Sequence, residues 1–242
     1  MPQEKPAVGP VPGLRPGRGG LNSIAVITFV LIAVAQYLIF MYVPDDATLG
    51  LIQRIFYFHV ASAWNALLAF SVVFAASILY LSKGERRYDA LALSSAEIGV
   101  LFTTLVLITG PIWGKVSWNQ WWTWDPRLTT TLILWFIYVA YLLIRLAADE
   151  PEKRARYAAV FGIIGFIDVP IVFFSIRWWR TIHPVVITWQ GAAMEKSMLQ
   201  TMIVSFIAFS FLFVYLLIHR LRIEAMQDEV AQLKERLQGS RG

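Results

Sequence analysis

The sequence predicts an all-α polytopic membrane protein: a bundle of six transmembrane helices, with both termini cytoplasmic and a tryptophan-rich outer loop between spans three and four. Three observations predict it. The 242 residues are 57% hydrophobic and only 15% charged, too apolar for an ordinary soluble domain. Six apolar stretches (Leu21–Val43, Ile55–Leu81, Leu91–Trp113, Leu128–Ala147, Tyr157–Ile176 and Ser197–Ile218) are each long enough to cross about 30 Å of hydrocarbon as a helix. With the N-terminus inside, only Arg54, Lys115, Arg127, Arg177, Arg180 and Lys196 fall outside, and the other 15 of the 21 Lys and Arg lie on the cytoplasmic side. Helices follow from the solvent, because each backbone polar group in lipid must be satisfied within its own segment.

Taken in order, residues 1–20 are rich in Pro and Gly, lack a signal-peptide pattern and are expected to form a disordered cytoplasmic tail. The membrane domain is expected over 21–219, its first span serving as an uncleaved insertion signal. The second span opens from the outside with RIFYFHV, which carries Arg54 and His59. The third leads into the loop of about 113–128, where WNQWWTWDPR packs Trp118, Trp121, Trp122, Trp124, Asp125 and Arg127 into ten residues, with Trp113 just upstream. Asp125 and Pro126 suit the cap and first turn of the fourth helix, so Asp125 is expected to fix the loop's geometry. Glu97 lies near the inner end of span three.

The fifth span contains Asp168, expected to hydrogen-bond a neighbouring helix, and Pro170, expected to kink or loosen the helix. RWWRTIHP follows on the outside, with Arg177, Arg180 and His183. The sixth span ends at His219, a polar anchor, and residues 220–242 form a cytoplasmic helix and tail. There Met226, Val230, Leu233 and Leu237 repeat at four, three and four residues, an amphipathic pattern short for a coiled coil but suited to docking on a cytoplasmic partner.

The absence of Cys excludes thiol catalysis, disulfides, zinc knuckles and covalent haem attachment in this chain. No GxxxxGK loop occurs, so an ATP-driven step would come from a partner. Of ten Trp, eight lie at or beyond the outer surface (Trp113, Trp118, Trp121, Trp122, Trp124, Trp178, Trp179 and Trp189), while Trp64 and Trp135 lie within spans. An aromatic belt populates both interfaces, so one-sided clustering favours a platform for something large, flat and apolar, although lipid packing accounts for some of these residues.

Two of the three histidines, His59 and His183, reach that same face. Each alone reads as a hydrogen-bonded interface residue; together they suggest a shared ligand. A metal held by protein alone wants three or four ligands, and the outer loops offer no convincing third. Haem resolves this: the porphyrin supplies four nitrogens and leaves two axial positions for neutral imidazoles. Its flat face suits indole and its propionates suit arginine, with Arg54 and Arg127 the first choices and Arg177 and Arg180 behind them.

Three segments, RIFYFHV, WNQWWTWDPRLT and RWWRTIHP, resemble the tryptophan-rich "WWD" haem-handling membrane proteins, and among these the haem exporter protein C (CcmC) family of bacterial cytochrome c maturation. The resemblance covers essentially Leu21 to Ile218. It implies a delivery component of the inner membrane rather than an enzyme, one that holds haem b non-covalently as cargo on the periplasmic face. His59 and His183 would be its axial ligands, with Trp113, Trp118, Trp121, Trp122, Trp124 and Asp125 as the WWD platform. The implied partners are a periplasmic haem chaperone (CcmE), a small one-span protein (CcmD) and an ABC transporter (CcmA with CcmB).

Two departures concern the loop path and helix start: Asn119 stands where the family often has Gly, and Ala61 where it commonly has Pro. The competing readings are a b-type electron-transfer cytochrome, which usually buries its histidines and often carries two haems, and a permease or scaffold whose Trp loop meets only lipid or protein.

Overall fold

The computed structural model describes residues 18–147, 150–184, 187–188, 191–192 and 194–239. Among the described residues, six helical segments are long and apolar enough to cross a membrane, as the hydropathy predicts, and the chain is a multi-pass membrane protein. The expected N-terminal tail lies outside the described residues up to position 17, and α1 (Arg18–Tyr37) begins at its end. A π-helical turn, Leu38–Tyr42, and a short 3-10 turn, Leu51–Arg54, lead into α2 (Ile55–Lys83). Gly84 closes α2 in the left-handed region, with φ 68° and its N–H donating to Tyr80 at 2.8 Å. Then come α3 (Arg86–Trp118) and α4 (Pro126–Ala147).

The fifth span is two helices, α5 (Pro151–Gly165) and α6 (Asp168–Trp178), broken at Phe166 and Ile167. The break has a local cause, because Pro170 has no N–H to give the Phe166 carbonyl one turn back. Asp168 starts α6 at 9% exposure, and its Oδ2 has no hydrogen-bond partner among the described residues, in place of the expected interhelical bond. A two-residue antiparallel pairing, Ile187–Thr188 with Gly191–Ala192, precedes α7 (Lys196–Gly239). That helix runs through His219 without interruption, so the amphipathic segment continues the sixth span.

Small side chains bring the helices together, as expected where lipid removes the hydrophobic drive between them. Ala61, Ala69, Ala96 and Ala158 are fully buried between helices. Phe70 of α2 lies over Gly99 of α3, where even a methyl group would come within 2.5 Å of the ring, and stacks on Tyr138 of α4 at 3.7 Å.

At the end of the bundle away from the tryptophans, ion pairs join α3, α4 and α7. Arg145 makes a two-pronged contact with Asp89 (2.6 and 2.9 Å), Arg86 reaches Asp89 (2.6 Å) and Glu224 (2.8 Å), and Arg220 pairs with Glu97 and Glu224. His219 packs its ring edge-on to Tyr215.

Candidate functional site

At the tryptophan end, α2, α3, α4, α6, α7 and the loop after α6 line a cavity of about 380 Å³, in the size range of small-molecule sites. His59 and His183 both line it. The sequence brings them to one face; the fold brings them to one cavity.

His59 lies on the second turn of α2. Gly110 of α3 makes room for it, since a methyl there would stand 3.3 Å from Cε1. Its Nδ1 is 2.9 Å from the Thr109 hydroxyl, which itself donates to the Leu105 carbonyl at 2.7 Å. A hydroxyl has one hydrogen, so His59 Nδ1 is the donor and Nε2 keeps the lone pair. His183 reaches the same state by another route. Its Nδ1 is 3.2 Å from the Pro184 carbonyl, which can only accept, so again Nε2 carries the lone pair. Burial pushes the His183 ring down to a pKa of about 4, helped by the Arg127 charge and opposed by the Pro184 carbonyl and Asp125. The ring is therefore neutral at neutral pH.

The indoles divide into two groups. Trp113, Trp118 and Trp122 line the cavity. Trp113 and Trp118 meet edge to face at 5.3 Å, and Trp113 Nε1 donates to Gln53 at 3.2 Å. The buried Nε1 of Trp122 has no acceptor among the described residues. Trp121 and Trp124 instead face outward at 61% and 76% exposure, Trp124 flanking a shallow depression with Asp125 and Ile182. Trp178, the last residue of α6, and Trp179 after it are exposed, and Trp189 lies outside the described residues.

The loop proper is also shorter than the predicted 113–128. Trp113 and Trp118 ride the last turns of α3, which ends only where Asn119 turns left-handed at φ 58°, ψ 22°. Asn is the residue after Gly that best tolerates this conformation, so this turn is open to either residue.

Asp125 is a tether and does not line the cavity. Its Oδ1 accepts from the Arg127 N–H at 2.9 Å, capping α4, while Oδ2 accepts from the Thr181 hydroxyl (2.6 Å) and the Ile182 N–H (2.9 Å). One buried carboxylate thus holds the strap carrying His183 onto the start of α4.

The arginines sort differently from their expected order. Arg127 and Arg177 line the cavity. One nitrogen of Arg127 donates to the Val172 and Phe173 carbonyls (2.8 and 3.2 Å), fixing α6 to α4, and Arg177 lies over the Phe173 ring. Arg54 is not in the lining; it pairs with Asp45 at 2.9 Å and covers Phe40. Arg54 ends the 3-10 turn that precedes α2, whereas His59 stands on the helix itself. Arg180 is exposed past the end of α6, where Trp179 has turned extended.

Thr109, Gly110, Trp64 and Phe206 are further residues of the site or its support that sequence reasoning passed over, Trp64 and Phe206 stacking at 5.8 Å in the wall. Among the described residues, the lining joins apolar walls, two imidazoles and two guanidinium groups, with no carboxylate.

Residues 18–236 match the family model described as Heme exporter protein C. The chain belongs to this family. It is 36% identical over 220 residues to the Heme exporter protein C of Bradyrhizobium diazoefficiens, covering 90% of this chain and 83% of that protein. The relative from Haemophilus influenzae with the same description is 33% identical over 85% of this chain and 84% of its own length. A putative cytochrome c biosynthesis ccmC-like mitochondrial protein of Marchantia polymorpha is 39% identical over 75% of this chain and 78% of its own. With six membrane-crossing segments and these relatives, family membership extends across nearly the whole described bundle.

Proposed function

We propose that the chain holds haem b non-covalently in this cavity as cargo, on the periplasmic side of the bacterial inner membrane, and delivers it during maturation of c-type cytochromes. One observation carries the reading: two imidazoles share a cavity, and each has its Nδ1 hydrogen committed to an acceptor, leaving Nε2 as the ligating nitrogen. The surroundings suit a flat, apolar, dianionic chelate. Trp113, Trp118 and Trp122 offer indole surface, and Arg127 and Arg177 offer positive charge to propionates. Bound haem would supply an iron whose two axial positions accept these imidazoles.

The residues of the chain do the positioning. Thr109 and the Pro184 carbonyl set the tautomers, Asp125 holds the strap, and burial keeps His183 unprotonated. The exposed Trp121 and Trp124 beside the site are a surface for the receiving protein, a periplasmic chaperone of the CcmE type. CcmD and the CcmA–CcmB transporter are the further partners, and the chain acts as a binding and delivery component with no catalysis of its own.

The test is the visible absorption spectrum of the purified chain, oxidised and reduced, beside His59→Ala and His183→Ala. Low-spin bands of a two-histidine haem, weakened or shifted in both variants, are expected. A wild-type chain that takes up no haem even when supplied in excess overturns the reading.

A further inference from the structure

Helix α7 is 44 residues long, about 66 Å at 1.5 Å per residue, against about 30 Å of hydrocarbon. Its C-terminal turns therefore project beyond the membrane, and they have two differently used faces. One face is clamped to the bundle: Leu221 and Glu224 are buried, Arg220 pairs with Glu97, and Arg86 holds Glu224 and Asp228 at 2.8 and 3.3 Å. At 100° per residue, Ile223, Met226, Val230, Leu233 and Leu237 form a stripe about 155° round the helix from that clamp. All five are exposed, between 43% and 62%.

The stripe has steps of three, four, three and four residues, the a and d positions of a heptad. Ile223, Val230 and Leu237 fall at a, Met226 and Leu233 at d. β-Branched residues at a with Leu at d favour two parallel strands. One flanking charge pair, in the middle of the stripe, fits the same pairing. Glu229 falls at g and Lys234 at the following e, so in a parallel, in-register pair each Glu229 faces the Lys234 of the other copy. Two copies in one bilayer must project their α7 tails in the same direction, so the membrane itself enforces the parallel arrangement.

We propose that the α7 tail is a homodimerisation element, its apolar stripe pairing with that of a second copy of this chain as a short parallel coiled coil. So short a coil is marginal as a free peptide, but confinement to one membrane removes most of the cost of bringing the two together. The inference does not depend on the haem reading.

The sequence has no Cys, so a single introduced thiol reports one position. Leu233→Cys at d and Ala231→Cys off the stripe are compared in the full chain, oxidised in native membrane vesicles. The expected result is a reducible band at twice 27.5 kDa from Leu233→Cys and none from Ala231→Cys. Adding Lys234→Glu should abolish the band, and adding Glu229→Lys to that variant should restore it. No dimer band from Leu233→Cys, equal bands at both positions, a band of another mass, or a band indifferent to Lys234→Glu each overturns the proposal.

Discussion

Replacing Thr109 by Val isolates the hydrogen bond that orients His59. Val keeps the branched shape and removes the oxygen that stands 2.9 Å from Nδ1. In the native chain the Thr109 hydroxyl spends its hydrogen on Leu105, so it serves the imidazole purely as an acceptor. Without it, Nδ1–H is left unsatisfied in a half-buried site, at a cost of about 1–3 kcal/mol, or the ring rotates to find another acceptor. In either case presenting Nε2 becomes harder by that amount, which weakens haem binding by about 5- to 150-fold. This overlaps the roughly 10–100-fold losses typical when the outer partner of a metal-binding histidine is removed.

The assay is a haem titration of the purified chain followed by Soret absorbance, comparing wild type, Thr109→Val and Thr109→Ser. Ser retains both the acceptor and a hydrogen for the carbonyl one turn back, so it should bind within about threefold of wild type, a few tenths of the cost of a lost bond. A Val variant that binds as tightly as wild type with an unchanged spectrum would refute the tautomer argument. A Ser variant as weak as Val would show that packing, not the hydrogen bond, is what matters.

Three other perturbations read out different parts of the structure. Asp125→Asn turns a three-fold acceptor into a group with one oxygen, costing about 1.5–3 kcal/mol for each charged hydrogen bond lost; tryptic cleavage after the exposed Arg180 should accelerate about tenfold or more. The pH dependence follows from His183: a detached strap protonates near the ordinary value of 6.5 and the docked strap only near 4, so docking is fully stable above 6.5 and weakens as pH falls between these values. NMR titration of the haem-free chain should show this ring neutral down to about pH 4, and a midpoint near 6.5 would contradict its burial. Asp89→Asn leaves Arg145 buried against a neutral partner, at about 3–5 kcal/mol, and should markedly lower the thermal midpoint in detergent while leaving the cavity's histidines in place.

The spans were legible because the lipid requirement acts on every residue of a segment and survives averaging. Their ends were not, because each end depends on one local event. α3 runs five residues past the predicted Trp113 because only Asn119 stops it, whereas the break of span five at Phe166 and Ile167 is the loosening that Pro170 leads one to expect. In the site, the histidines could be found by asking which face each reaches. The supporting groups could not: Thr109 is 50 residues from the ring it holds, and Thr181 is 56 from Asp125. Arg54 shows the opposite error. Closeness in sequence suggested a shared site, yet Arg54 ends the 3-10 turn before α2 and pairs with Asp45, nine residues back.

The two histidines are held in different ways, and the difference suits a cargo that must leave. His59 stands on a 29-residue helix packed deep in the bundle, against a threonine of the adjoining helix. Moving it would mean disturbing Phe70, Gly99 and the α2–α3 packing. Among the described residues, His183 stands on a strap hydrogen-bonded to the start of α4 through one carboxylate, by two hydrogen bonds. Two charged hydrogen bonds amount to about 3–6 kcal/mol, so thermal opening of that strap is rare but reachable, at about one part in 10² to 10⁴. A site with both ligands on helices would hold as firmly and release far more slowly. A site with both on loops would lack a fixed half against which an incoming ligand could displace the other. Under the proposed reading, one rigid imidazole and one detachable imidazole would give directional release, with His183 leaving first and His59 retaining the cargo until it is taken.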